Sequence, residues 1–106
     1  MPVEITKENF QQEVIQSSVP VLIDFWAPWC GPCRMMSSVV DEIAAERTDI
    51  KVGKCNVGEQ MEIAGMMRVM SIPTLVLFRN GQPVGRMVGA RPKQDVLTFI
   101  DNPPER

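Results

Sequence analysis

The order of strand-like and helix-like segments along these 106 residues predicts a single α/β domain, arranged βαβαβαββα. We expect one central mixed sheet of four to five strands with helices on both faces. A nearly unbroken apolar run at residues 21–26 is typical of a strand buried on both sides. The dipeptide Asn80-Gly81 between strand-like residues 74–78 and 82–88 predicts a hairpin turn, and therefore an antiparallel pair.

Apolar spacing and turn residues predict the other elements of this fold. In chain order we expect a strand at 3–5, a helix at 7–16 capped by Thr6, the central strand at 21–26, a long helix from Gly31 to about Glu46, a parallel strand at 50–57, a short Met-rich helix at 59–67, the hairpin at 74–88 and a last helix at 92–100. Both parallel crossovers are expected to be right-handed. The tail at 102–106 is expected to be frayed.

Composition and charge argue against several classes of function. The formal net charge is -2, with 11 basic residues scattered among 13 acidic ones, so we expect no nucleic-acid partner. No apolar run approaches the roughly 18 residues that span a bilayer, and residues 1–4 lack the basic and then apolar pattern of a signal peptide. We therefore expect a cytoplasmic protein with no membrane partner, in a compartment that keeps thiols reduced.

Two cysteines with two residues between them follow the predicted central strand directly. The run Trp29-Cys30-Gly31-Pro32-Cys33 places both thiols in the first turn of the long helix, where Pro32 is tolerated because its missing N–H would be unpaired. Unpaired backbone N–H groups and the helix dipole favour a thiolate at this end. We therefore predict a pair that opens and closes a disulfide, with Cys30 as the nucleophile and Cys33 as the resolving thiol.

Cys-x-x-Cys is also half of a zinc or iron–sulfur site, and this alternative stays open. A metal needs about four ligands, whereas the chain has three cysteines and no histidine. Cys55 plus a carboxylate, or a second subunit, would have to complete the site. A purely structural disulfide is disfavoured because so short a loop removes little unfolded-state entropy. A binding subunit of a larger complex, independent of redox chemistry, is the other alternative.

Asp24 is a carboxylate inside an apolar strand, and burying a carboxylate costs free energy unless it is paired, so its presence calls for a reason. Strand alternation puts Leu22, Asp24 and Trp26 on one face, beneath the helix that carries Cys33. Burial should raise the pKa of Asp24, so that its carboxyl can accept and return a proton near neutral pH. Because the chain has no histidine, Asp24 is the best candidate acid/base. The alternative is a structural carboxyl that hydrogen-bonds to backbone.

Lys54 and Cys55 are neighbours in the second parallel strand and must point to opposite faces of the sheet. Lys54 is the candidate partner of Asp24, with a solvated lysine as the alternative. Cys55 is expected to be a small buried hydrophobe, and a regulatory or dimer-forming thiol is the alternative.

Several blocks of this sequence, in order, resemble the thioredoxin family from about Val3 to Ile100. They are the segment 24–33, the run Ile72-Pro73-Thr74, the run Phe78-Arg79-Asn80-Gly81 and the run Val88-Gly89-Ala90. The resemblance implies a thioredoxin fold and a general protein disulfide reductase that acts by dithiol–disulfide exchange. It also implies disulfide-containing protein substrates, recycling by a thioredoxin reductase, a monomer, and no bound cofactor besides the redox-active Cys30–Cys33 disulfide.

The resemblance also implies roles for individual residues. Asp24 would help deprotonate Cys33 through a water, with Lys54 paired to Asp24. Pro73 would be cis and lie against the disulfide, so that the backbone of Ile72 pairs with a substrate strand; an ordinary trans turn is the alternative. The expected substrate-binding residues are Trp29, Gly31, Pro32, Ile72, Pro73 and Gly89, with Trp26 supporting the floor of the site and no metal ligand.

Overall fold

A central sheet of five strands carries the fold. In the computed structural model, which describes residues 1–104, the strands are β1 (Val3–Glu4), β2 (Val21–Trp26), β3 (Lys51–Asn56), β4 (Thr74–Arg79) and β5 (Gln82–Val88). Their order across the sheet is β1-β3-β2-β4-β5. β3 runs parallel to both β1 and β2, whereas β4 is antiparallel to β2 and to β5. The predicted mixed sheet and hairpin are therefore confirmed.

Helices cover both faces of this sheet, as predicted. They are a short π-helix (Gln11–Ile15), α1 (Gly31–Glu46), α2 (Met61–Met66) and α3 (Lys93–Asp101). One apolar cluster joins Leu22 of β2 to Met36 of α1 and Phe99 of α3. A second cluster, on the other face, joins Ile23 of β2 to Val14 of the π-helix and Ile63 of α2. Because alternate residues of β2 enter the two clusters, this strand is buried on both sides.

The first predicted helix is wrong in its start, its type and its cap. Residues 7–9 form turns, and the π-helix begins only at Gln11 with no side-chain cap. The side chain of Asn9, rather than that of Thr6, organises this segment. Asn9 Oδ1 accepts a 2.7 Å hydrogen bond from the Thr6 N–H, and Asn9 Nδ2 donates to the Glu4 carbonyl at 2.7 Å. These bonds hold the chain against the end of β1 and delay the helix.

Other element boundaries differ from the predicted ones by one or two residues. β1 ends before Ile5, and β3 is shorter by one residue at each end than the predicted strand at 50–57. α2 starts later than predicted because the N–H groups of Glu59 and Gln60 turn back to the Asn56 carbonyl. In the tail predicted to be frayed, Pro103 is half-buried and packs near Gly85, whereas residues 105–106 lie outside the described residues.

Candidate functional site

Cys30 and Cys33 meet at the amino end of α1, just beyond the carboxyl end of β2. They form a disulfide with a Cα–Cα distance of 5.3 Å. Cys30 is the residue that precedes the helix and has extended backbone angles, and the Cys33 N–H donates to Cys30 Sγ over 3.2 Å. An N–H aimed at a sulfur stabilises negative charge on that sulfur. The helix end is therefore arranged to favour a thiolate at Cys30 when the pair is reduced.

The loop before β4 lies directly against the cysteine pair. Its Ile72–Pro73 peptide bond is cis, as the resemblance implied. The carbonyl oxygen of Ile72 is 3.9 Å from Cys30 Sγ, and the Pro73 carbonyl accepts a 2.8 Å hydrogen bond from the Gly89 N–H. The structure thus brings Ile72 next to Cys30, the more exposed of the two cysteines, and joins Pro73 to Gly89.

The rim of the site is open on the side of the helix start. The Trp29 side chain is 71% exposed and its ring lies over Gly58, while Gly31 and Pro32 are also exposed. Trp26 is half-buried and packs against the apolar cluster that contains Ala27 and both cysteines. An exposed aromatic ring beside the cysteine pair can contact a protein chain that approaches it.

Asp24 is completely buried beneath α1. Its neighbours in register are Lys54 on β3 and Leu75 on β4, and neither carboxylate oxygen has a hydrogen-bond donor among the groups that the structure describes. The alternative of a structural carboxyl bonded to backbone is therefore wrong. Burial raises the pKa of Asp24 to about 7, although the charge of Lys54 lowers it and that of Asp41 adds to the rise. This pKa suits proton exchange near neutral pH.

Lys54 does not form the expected ion pair with Asp24. Its ammonium instead lies 2.8 Å from Asp41 Oδ1 and donates to Ser37 Oγ over 2.6 Å. Both of these residues belong to α1 and escaped the sequence prediction. Cys33, Ser37 and Asp41 follow one another at intervals of four residues. Residues at this spacing share one helix face, and this was the signal that could have identified Ser37 and Asp41.

Cys55 points away from the site, as strand alternation predicted. It is fully buried in the apolar cluster on the opposite face of the sheet, and burial raises the pKa of its thiol to about 12. It therefore supplies no third thiolate to the cysteine pair.

Within residues 1–104, no group of three or more His, Cys, Asp or Glu side chains is placed to hold a metal ion. Over the same residues, none of the helices has the length and apolar character that a bilayer crossing requires.

Comparison with known proteins assigns the family. Residues 1–102 match the Thioredoxin family. The chain is 51% identical to Thioredoxin 1 of Synechococcus elongatus and 54% identical to Thioredoxin 1 of Nostoc sp., covering 92% of both chains in each case. It is also 48% identical to part of a bifunctional thioredoxin reductase/thioredoxin of Mycobacterium leprae, covering 94% of this chain and 22% of that protein.

Thioredoxins work with their own active-site disulfide rather than a bound cofactor, and thioredoxin reductase returns that disulfide to the dithiol. The fold, the cysteine pair at the start of α1 and the similarity over nearly the whole chain agree. This chain belongs to the thioredoxin family, and it is a protein disulfide reductase whose redox centre is the Cys30–Cys33 pair.

Proposed function

We propose that Cys30 is the attacking thiol of this reductase and that Cys33 is the resolving thiol. The observation that carries this assignment is the N–H of Cys33 donating to Cys30 Sγ, which favours charge on Cys30. The exposed fractions agree with it, since Cys30 retains 8% of its accessible surface and Cys33 only 2%. A bulky protein disulfide therefore reaches Cys30 first.

The exchange proceeds in two displacements. The Cys30 thiolate attacks one sulfur of the target disulfide, and the other target sulfur leaves as a thiolate that takes up a proton. Cys33 then loses its proton to Asp24 through an intervening water, and its sulfur attacks Cys30 Sγ. The second target sulfur leaves and is protonated in turn. Two target thiols and the Cys30–Cys33 disulfide are the products, so two electrons pass to the target.

Asp24 is the proton acceptor for Cys33 in this proposal. Its support is burial on the sheet face that underlies α1, a pKa of about 7, and the lack of any competing hydrogen bond from the described protein groups. At pH 7 such a carboxyl is divided between its two protonation states, which allows it to take a proton from Cys33 and return it to solvent.

The target binds across the rim around Cys30. We propose that its chain lies beside the Ile72 backbone, and the position of the Ile72 carbonyl near Cys30 Sγ supports this. The surface that accepts it comprises Trp29, Gly31, Pro32, Ile72, Pro73 and Gly89, with Trp26 as the floor.

We also propose that the chain acts as a monomer and as a single domain in the cytoplasm, where a reducing environment keeps the cysteine pair ready for the next target.

Trapping the mixed disulfide tests these roles. Reduced Cys33→Ser protein is mixed with insulin and resolved on a non-reducing gel, beside Cys30→Ser protein and the matched control Cys55→Ser. We expect a covalent adduct with Cys33→Ser, because the attack proceeds and the resolution fails. Cys30→Ser should give none, and Cys55→Ser should reduce insulin like the wild type. An adduct formed by Cys30→Ser instead would reverse the two assignments.

A further inference from the structure

A polar stripe on α1 lies over the buried Asp24. Cys33, Ser37 and Asp41 are spaced four residues apart, so they follow one line along the helix. The first is in the redox pair, and the other two both contact the ammonium of Lys54, at 2.6 Å for Ser37 Oγ and 2.8 Å for Asp41 Oδ1. The face of α1 that carries Cys33 therefore also holds the Lys54 ammonium.

The strand register places Lys54 where it could pair with Asp24 instead of Asp41. It lies directly opposite Asp24 in the parallel β2–β3 pair, and neighbouring strands are separated by only about 4.8 Å. The Asp24 carboxylate nevertheless has no hydrogen-bond donor among the described groups, while the lysine side chain turns to Asp41, which is 54% exposed. A half-exposed partner requires less loss of hydration than a fully buried one.

The charges around Asp24 come from two elements. Of the elements packed against its face of the sheet, β3 contributes Lys54, α1 contributes Asp41 and the cysteine Cys33, and β4 and α3 contribute the apolar Leu75 and Phe99. Lys54 lowers the pKa of Asp24 and Asp41 raises it. A direct ion pair with Lys54 would lower that pKa by about 1–3 pH units, leaving a weaker base that is ionised throughout the neutral range.

We propose that Ser37 and Asp41 are positioning residues of the reductase, which hold the Lys54 ammonium on α1 and so keep it from pairing with the Asp24 carboxylate. The result is a carboxyl that can both accept and release a proton at neutral pH. This inference rests on the proposed function of Asp24 as the acceptor for Cys33, and it adds two residues that act on the reaction through Lys54 without touching the target.

The direct test is the titration of Asp24, followed by the ¹³C shift of its carboxyl group in oxidised protein. Removing Asp41 as Asp41→Asn should lower the titration midpoint by about one pH unit or more, because a repelling charge is lost and Lys54 is released toward Asp24. Ser37→Ala should lower the midpoint by less. The matched control is Ser38→Ala, which changes an exposed neighbour on the same helix and should leave the midpoint where it is.

A double-mutant cycle separates holding of Lys54 from simple repulsion. In the Lys54→Met background, Asp41→Asn can remove only its direct repulsion of Asp24, so its effect on the midpoint should fall to less than half of that in the wild-type background. Equal effects in the two backgrounds would overturn the proposal, and so would an unchanged midpoint in Asp41→Asn. Either result would show that Asp41 does not control where the ammonium lies.

A kinetic readout distinguishes this inference from the proposed function beneath it. We measure the pH dependence of target release from a preformed mixed disulfide on Cys30, which is the step that Cys33 completes. In Asp41→Asn the rising limb of the profile should move to lower pH by the same amount as the Asp24 titration. If the titration moves and the double-mutant cycle shows that the shift depends on Lys54, while Asp24→Asn releases target as fast as the wild type, Asp41 does hold Lys54, and the role of Asp24 in the reaction is wrong.

Discussion

Replacing the buried Asp24 by asparagine should make the stability of the oxidised protein much less dependent on pH. Burial raises the pKa of Asp24 from its ordinary value of 3.8 to about 7. The folded state therefore holds this proton more tightly than the unfolded chain does. The resulting stabilisation is fully present below pH 3.8 and is lost as the pH rises through about 7. With about 1.4 kcal/mol for each pH unit between the two values, the full loss is about 4 kcal/mol.

Urea unfolding of oxidised wild type and Asp24→Asn at pH 5 and pH 8 measures this loss. Relative to its value at low pH, the free energy of unfolding of the wild type should fall through Asp24 by roughly 1.5–2 kcal/mol at pH 5 and by about 4 kcal/mol at pH 8. The asparagine amide does not ionise, and its own burial costs the same at both pH values. The advantage of the variant over the wild type should therefore grow by about 2.5 kcal/mol from pH 5 to pH 8. Working with the disulfide keeps Cys30 and Cys33 from titrating.

The matched control is Asp49→Asn on the surface. Hydrogen bonds from Arg47 lower the pKa of Asp49, so this carboxylate is ionised in both the folded and the unfolded state between pH 5 and pH 8. Its effect on unfolding should be the same at both pH values. If Asp24→Asn also differed from the wild type equally at pH 5 and pH 8, the folded carboxyl would titrate as it does in the unfolded chain. That result would refute the argument for Asp24 as a proton acceptor.

Three further predictions concern packing and thiol reactivity. Gly53→Ala should destabilise the protein by about 1–3 kcal/mol in urea unfolding, since its Cβ would lie 2.6 Å from Cγ1 of the buried Ile5. Met36→Ala should cost about 2–5 kcal/mol in the same assay, because it leaves a cavity where a fully buried side chain joins α1 to the sheet. The Cys55 thiol should resist iodoacetamide in native oxidised protein at pH 8, as followed by mass spectrometry, because it is buried and its pKa is raised to about 12.

Each of these predictions has an internal comparison. Gly65 lies in α2, and a Cβ added there would have nothing within 4 Å. Gly65→Ala should therefore leave the stability unchanged or raise it slightly. A similar loss for both glycine variants would point to backbone effects rather than crowding at Ile5. Met35→Ala removes an exposed side chain and should leave stability nearly unchanged. Labelling of native Cys55 as fast as in urea would contradict the burial of that thiol.

The parts of the fold that the sequence predicted to the residue depend on strong local signals. The bounds of β2 and α1 agree with the predicted ranges because a continuous apolar run defines the strand, and Cys30 and Pro32 mark the start of the helix. The Asn80-Gly81 turn likewise determined the hairpin, since both residues adopt the left-handed backbone conformation that this turn requires.

The errors arise where individual side-chain hydrogen bonds or hydration, rather than apolar spacing, decide the structure. The first helix was misplaced because the side chain of Asn9 bonds the backbone of Glu4 and Thr6, which precede the turn, and apolar spacing does not contain this detail. The partner of Lys54 was misassigned because strand register brings it opposite Asp24, whereas the choice between that buried carboxylate and the half-exposed Asp41 depends on hydration. Alternation along β3 was enough to place Cys55 on the other face, because it depends on backbone geometry alone.

The most direct test of the central claim is the reduction of insulin disulfides by dithiothreitol, with and without this protein and with its Cys30→Ser variant. We predict that the wild type accelerates the reaction and that the variant, folded as judged by its urea unfolding, does not. Acceleration retained by the variant would contradict the assignment of Cys30. No acceleration by folded wild-type protein would contradict the assignment of the Cys30–Cys33 pair as the centre of a protein disulfide reductase.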